Sequence, residues 1–184
     1  MRGVPGSTGR VMFSRVLTPR GRALTLLIGL ALVGLAAPLV LDPPPRLVWN
    51  ASASAPLGLW AITPGAAIQA GDSVLVEPPP AARRLAAQRH YLPANVPMIK
   101  TVAAVSGDEV CAVDAEITVN DRRVATRRLA DRRGLKLPWW RGCQRLSRGQ
   151  VLLINPAPES FDSRYFGPVE GGAIIGRARL LWRR

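Results

Sequence analysis

The chain has 184 residues, 48% of them apolar, with 25 Lys+Arg against 12 Asp+Glu and a formal net charge of +13. That apolar content excludes a disordered chain, and the length allows one domain of ordinary size. Two cysteines and one histidine exclude a disulfide-framework miniprotein and a four-cysteine zinc module, and they argue against a Ser-His-Asp triad.

The charge is unevenly spread. Residues 1–22 hold Arg2, Arg10, Arg15, Arg20 and Arg22 and no acid, for +5, which leaves +8 for the remainder. Residues 23–41 then run for 19 positions without a charge. As a helix they span about 28 Å, close to the roughly 30 Å thickness of a bilayer's hydrocarbon. A soluble core helix does not fit, because the run is apolar on every face. The expectation is a basic cytoplasmic segment over 1–22 and a transmembrane anchor over 23–41. By the positive-inside rule everything from 42 to 184 then crosses the membrane. A cleavable signal sequence competes with this reading, since Ala51-Ser52-Ala53 is of the A-x-A type, but the apolar run is longer than such sequences use.

Asp42-Pro43-Pro44-Pro45 ends the helix and makes a stiff spacer. Beyond it the pattern turns strand-like. Short apolar or β-branched stretches fall at 57–62, 73–76, 98–105, 109–113, 117–119, 151–154 and 173–182, separated by Gly, Pro and Asn-Asp turn signals. Asn120-Asp121 predicts a tight hairpin turn, and residues 81–89 a short helix after a triple proline. The fold class is therefore mostly β, a domain of about 140 residues behind one N-terminal transmembrane helix.

Only two of the basic residues are lysines, Lys100 and Lys136, and Lys100 stands among apolar strand residues in Met98-Ile99-Lys100. Burying an ammonium is costly, so Lys100 is paired, snorkelling or neutral. A neutral lysine in an apolar wall is a general base. A serine hydroxyl needs such a base to act as a nucleophile, and this sequence has almost no histidine to supply one. Ser plus Lys is the dyad this composition can build, although a serine in a Gly/Pro-rich turn is more often simply a turn residue.

Laid in order, the patches resemble the type I signal peptidase family of serine peptidases, and most of all its conjugative-transfer, TraF-type branch. Asn50-x-Ser52 followed by Ser54-x-Pro56-x-Gly58-Leu59-Trp60 is similar to that branch's nucleophile box. Met98-Ile99-Lys100 with Gly107-Asp108-Glu109-Val110 is similar to the general-base strand and its following turn. Asp162-Ser163-Arg164-Tyr165-Phe166-Gly167 is similar to the family's closing box. The departures are Ala55 alone between Ser54 and Pro56, Trp60 where the branch more often has tyrosine, and Thr101 where arginine follows the base in ordinary signal peptidases.

The resemblance implies a signal-peptidase-like β domain in which Ser54 attacks the scissile carbonyl and neutral Lys100 takes its proton. Ser54 N–H would be one oxyanion donor and Ser52 the candidate for a second; for Ser52 a plain turn role stands beside that one. Asp162 and Arg164 are expected as a buried ion pair shaping the site, and Ser163 as a hydroxyl bonded to Lys100. Export to an oxidising compartment and the matching cysteines of the transfer branch imply a Cys111–Cys143 disulfide, against two separate thiols. No metal or cofactor enters the scheme.

The function so implied is an endopeptidase of the bacterial inner membrane, single-pass, with its catalytic domain on the periplasmic side. Its partners would be a precursor polypeptide, such as a pilin or transfer-apparatus subunit, and anionic lipid attracted by the arginines. A general signal peptidase and a non-enzymatic anchored β module are the competing readings. Nucleic acid is not expected as a partner, because the arginines are scattered, aromatics are only 5% and the domain is exported.

Overall fold

The structure is a computed structural model and describes residues 18–41 and 43–184. Most of the basic segment expected over 1–22, and the helix stop at Asp42, lie outside these described residues. The chain divides into two units, Met1–Pro43 and Pro44–Arg184.

In the first unit α1 (Pro19–Leu41) is one 23-residue helix. It starts four residues before the expected anchor, so Arg20 and Arg22 fall in its first turn. Leu24, Leu26, Leu27, Leu30 and Leu35 all stand exposed around it, which is the surface a hydrocarbon environment accepts and water does not. The stretch Pro19–Ala37 is long and apolar enough to cross a membrane.

The second unit is built from eleven strands: β1 (Leu47–Asn50), β2 (Gly58–Thr63), β3 (Ser73–Val76), β4 (Met98–Ala104), β5 (Glu109–Val113), β6 (Glu116–Val119), β7 (Arg122–Thr126), β8 (Gly142–Arg145), β9 (Gln150–Leu153), β10 (Val169–Glu170) and β11 (Ile174–Arg183). Two short helices join them, α2 (Pro80–Gln88) and α3 (Ser163–Phe166). Seven strands form a sheet in the order β1-β2-β11-β3-β4-β9-β10, and four form another in the order β7-β6-β5-β8. Every pairing is antiparallel.

Period-two patterning explains most of this. In β2, Gly58, Trp60 and Ile62 point inward and their neighbours do not, and β5 buries Val110 and Ala112 in the same way. Asn120 and Asp121 take φ of 47° and 65°, as a two-residue hairpin turn requires, and join β6 to β7 with Val119 opposite Arg122. Helix α2 begins on the third of three prolines and buries Ala82 and Ala86. Gly58 has a mechanical reason: a Cβ there would sit 2.0 Å from the Trp182 carbonyl oxygen, where β11 crosses β2.

Strands β1, β7 and β8 show neither this alternation nor a buried run. β8 is exposed throughout, β7 nearly so, and β1 buries only its last residue, Asn50. They are held by backbone pairing rather than by an apolar face, so alternation does not report them. β4 is the opposite case. Met98, Ile99 and Lys100 are buried in succession, because both faces of the sheet are covered at that end. The position of the lysine is decided there.

Candidate active site

The seven residues between β1 and β2 form a turn folded around one side chain. The Asn50 amide nitrogen donates to the carbonyls of Ser52, Ala55 and Pro56 at 3.0, 3.1 and 3.0 Å, and its oxygen accepts from Ser52 N–H at 3.0 Å. Trp60 Nε1 donates to the Pro56 carbonyl from β2. The turn thereby presents Ser52 Oγ and Ser54 Oγ side by side, 3.2 Å apart. Among the described residues, Ser54 N–H donates to no acceptor.

Lys100 reaches this turn from β4. It is 3% exposed, its Nζ lies 3.4 Å from Ser54 Oγ, and it donates to Ser160 Oγ at 2.9 Å. Burial lowers its pKa to about 8; the Asp162 carboxylate pulls the other way and the Arg164 guanidinium adds to the lowering. The strand around it is clamped by Asn155, 1% exposed, whose side-chain oxygen accepts from Thr101 N–H while its nitrogen donates to the Ile99 carbonyl. One amide thus replaces the partner strand on both sides of Lys100.

The segment from Asn155 to Arg164 is closed by a buried ion pair. Arg164 Nε meets Asp162 Oδ1 at 2.8 Å, with 2% and 0% of the two side chains exposed. The remaining valences are satisfied locally. Asp162 accepts from the N–H groups of Asn155 and Arg164, and Arg164 donates to the carbonyls of Asn155 and Pro158. A buried pair of this kind is tolerable only when so completely bonded. Its effect is to fix the loop that carries Ser160 toward Lys100.

The structure therefore brings Ser52, Ser54 and Lys100 together and places Asp162 and Arg164 behind them. It does not join Ser163 to Lys100. The Ser163 hydroxyl accepts from Leu153 N–H at 3.0 Å and its carbonyl accepts from Trp140 Nε1, so this residue ties α3 to β9. The hydroxyl on Lys100 belongs to Ser160, three residues earlier, because the tight 155–162 loop and not the helix faces β4. The sequence places Asn50 in the nucleophile box without a role of its own and does not single out Asn155. The available signal was a lone amide ending each of two apolar strands, Leu47-Val48-Trp49 and 151–154, since an amide buried there must find its partners within the protein.

Cys111 and Cys143 form a disulfide between β5 and β8. It closes the excursion that carries β6, β7 and the strap 127–141. The strap docks against the loop near Lys100, with Arg128 and Arg132 on Glu159. A cleft of about 480 Å³ opens beside Ser54, lined by Ala53, Ala55, Pro56, Pro156, Ala157 and the two terminal arginines.

The family model described as signal peptidase, peptidase S26, matches residues 20–183. The probable conjugal transfer protein TraF of Sinorhizobium fredii is 35% identical, with 87% of this chain and 90% of the relative covered. The conjugal transfer protein TraF of Agrobacterium fabrum is 32% identical over 72% of this chain and 80% of its own length. The plasmid transfer protein TraF of Escherichia coli is 40% identical over 46% of this chain and 51% of the relative. Among solved structures, a signal peptidase I from Enterococcus faecalis aligns with a TM-score of 0.37 and 16% identity, covering 61% of this chain and 97% of that one. With the family match running from the first turn of α1 to the end of β11, and transfer proteins as its relatives, this chain belongs to the type I signal peptidase family, in the TraF branch.

Proposed function

We propose that this chain is a membrane-anchored serine endopeptidase in which Ser54 is the nucleophile and Lys100 the general base. The observation that carries the reading is a lysine buried without a carboxylate at contact distance, whose amine touches the hydroxyl of an ordered turn. Ser54 Oγ attacks the carbonyl carbon of the scissile peptide bond as its proton passes to Lys100 Nζ. The oxyanion is met by Ser54 N–H and the Ser52 hydroxyl. Collapse breaks the C–N bond, the leaving amine takes the proton from Nζ, and an ester on Ser54 remains. Water then attacks the ester, again losing a proton to Nζ, and Ser54 regains its hydrogen. Ser160 Oγ accepts from Nζ throughout, which leaves the amine lone pair directed at Ser54.

The substrate is an exported precursor, and the transfer proteins among the relatives favour a pilin or another subunit of a conjugation apparatus. The small residues lining the cleft suit an extended peptide with small side chains at the cut. The compartment is the periplasmic face of the inner membrane, a reading supported by the basic segment before α1 and by the disulfide in the domain beyond it. The membrane surface is a second partner. Trp49 and Trp182 pair with ring centroids 5.6 Å apart, both half exposed, beside exposed Leu47, Leu181 and Arg46. Aromatic rings and arginines in one patch suit an anionic lipid interface.

The test is precursor processing by purified full-length protein in detergent. Ser54→Ala and Lys100→Arg should each abolish processing, because a guanidinium does not give up its proton. Wild-type activity should rise with pH along a limb near 8. Processing by either variant at the wild-type rate would show the dyad to be wrong.

A further inference from the structure

Asn50 is 8% exposed and stands outside the proton-transfer scheme, yet four hydrogen bonds converge on it. The orientation of its amide follows from its partners. One side meets an N–H and the other meets three carbonyl oxygens, so a single flip satisfies both. Its two N–H hydrogens serve three carbonyls, and one of them is shared.

The arrangement has two consequences for the turn. Both backbone polar groups of Ser52 end on this one side chain, N–H on its oxygen and C=O on its nitrogen, which fixes where the Ser52 hydroxyl points. The carbonyls of Ser52, Ala55 and Pro56 are gathered inward, while Ser54 N–H is left without an acceptor and Ser52 Oγ stands 3.2 Å from Ser54 Oγ. A turn in which one of these carbonyls rotated outward would set a partial negative charge where the oxyanion must form.

We propose that Asn50 is a positioning residue for acyl transfer: its amide draws the carbonyls of the 51–57 turn inward and so presents the Ser52 hydroxyl and Ser54 N–H as a preorganised pair of oxyanion donors. The inference rests on Ser54 being the nucleophile. Donors fixed before reaction need no reordering in the transition state, so the loss appears in kcat. Asn50→Asp isolates the effect, because it keeps an acceptor for Ser52 N–H and places a second oxygen against three carbonyl oxygens.

The experiment uses full-length protein in detergent with a precursor peptide and compares wild type, Asn50→Asp, Asn50→Ala, Ser52→Ala and the Asn50→Asp/Ser52→Ala double variant. Rates are expressed per folded molecule, from thermal unfolding of each sample. Loss of one oxyanion donor slows kcat by about 100- to 1,000-fold, and Asn50→Asp should fall in that range with KM near the wild-type value. The pH limb set by Lys100 should not move. The double variant should be about as slow as Asn50→Asp alone, because the Ser52 hydroxyl is one of the two donors that Asn50 positions.

A residue that only supports the fold would change the unfolding temperature, leave kcat per folded molecule alone and combine multiplicatively with Ser52→Ala. Either wild-type kcat in both Asn50 variants or multiplicative effects would overturn the proposal. So would the failure of both variants to fold at the assay temperature, which would make Asn50 a folding residue. Ser54→Ala separates the two levels. Full activity there removes the nucleophile, whereas a dead Ser54→Ala beside full-rate Asn50 variants removes only the positioning role.

Discussion

Replacing Lys100 by methionine should make the protein more stable relative to wild type at pH 7 than at pH 10.5, by a difference worked from the structure. Methionine matches the length and shape of the lysine stem and carries no charge. In the folded chain burial brings the lysine from 10.5 to about 8. A depression of that size corresponds to about 3 kcal/mol against the charged form. Below pH 8 the ammonium is charged in both states and the folded state bears the whole penalty. Between 8 and 10.5 the unfolded chain holds the proton and the folded chain does not, so wild-type stability rises with pH. Above 10.5 both states are neutral and the penalty is gone.

The variant also leaves the Ser160 hydroxyl, 2% exposed, without its partner, an offset of about 1–3 kcal/mol that does not depend on pH. The slope and not the intercept therefore decides. Denaturant unfolding of the oxidised full-length proteins, at steps from pH 7 to 11, should show the advantage of Lys100→Met shrinking by about 3 kcal/mol, because the other titrating groups cancel in the difference. Parallel stability curves for the two proteins would refute the claim that Lys100 is held in a desolvated site.

Three further outcomes follow from the same packing. Asp162→Asn leaves the Arg164 guanidinium, 2% exposed, without its charge partner, and should lower unfolding stability by about 3–5 kcal/mol; a loss under about 1 kcal/mol would mean that the pair is not buried. Cys111→Ser combined with Cys143→Ser opens a loop spanning 32 positions and should lower stability by about 3–4 kcal/mol. The oxidised wild-type protein should meanwhile take up no alkylating reagent before reduction, and labelling of both cysteines would exclude the bond. In vesicles of anionic brominated lipid, tryptophan emission of the full chain should be quenched through Trp49 and Trp182, and equal quenching in Trp49→Phe/Trp182→Phe would exclude the lipid-facing patch.

Legibility in the sequence followed the physics of each element. The apolar run of α1, the alternating strands β2, β5 and β11 and the continuously buried Val74-Leu75-Val76 of β3 announce themselves because burial selects their residues directly. Strands β7 and β8 bury almost nothing, and only the turn at Asn120-Asp121 hinted at the first of them. At the site, Ser54 and Lys100 were readable because a lysine in an apolar strand is chemically odd and the boxes around both resemble a family. Ser160 was not, since its approach to Lys100 depends on how Asp162 and Arg164 fold the 155–162 loop, a long-range outcome with no periodic trace. Assigning the contact to Ser163 was a shift of three residues along a segment whose path is set by that ion pair. Asn155 left only the mark of a lone amide closing an apolar strand, because its work is on the backbone beside Lys100 and those backbone partners leave no trace in the sequence.

The two halves of the site differ in how firmly the sheet holds them. Lys100 lies in β4 with β3 on one flank and β9 on the other, whereas the Ser54 turn hangs from β1, an outermost strand paired only with β2 and exposed along most of its length. Amide exchange should therefore be faster over residues 47–57 than over β4, through partial openings that leave the interior intact. Gentle heating would release the hydroxyl from the amine before the sheets melt, and any processing that depends on the Ser54–Lys100 contact would stop while the protein still appeared folded to a probe of its core. A bound peptide that packs against the turn would close this gap, so resistance to heat inactivation, more than the unfolding temperature itself, is where occupancy of the cleft would register.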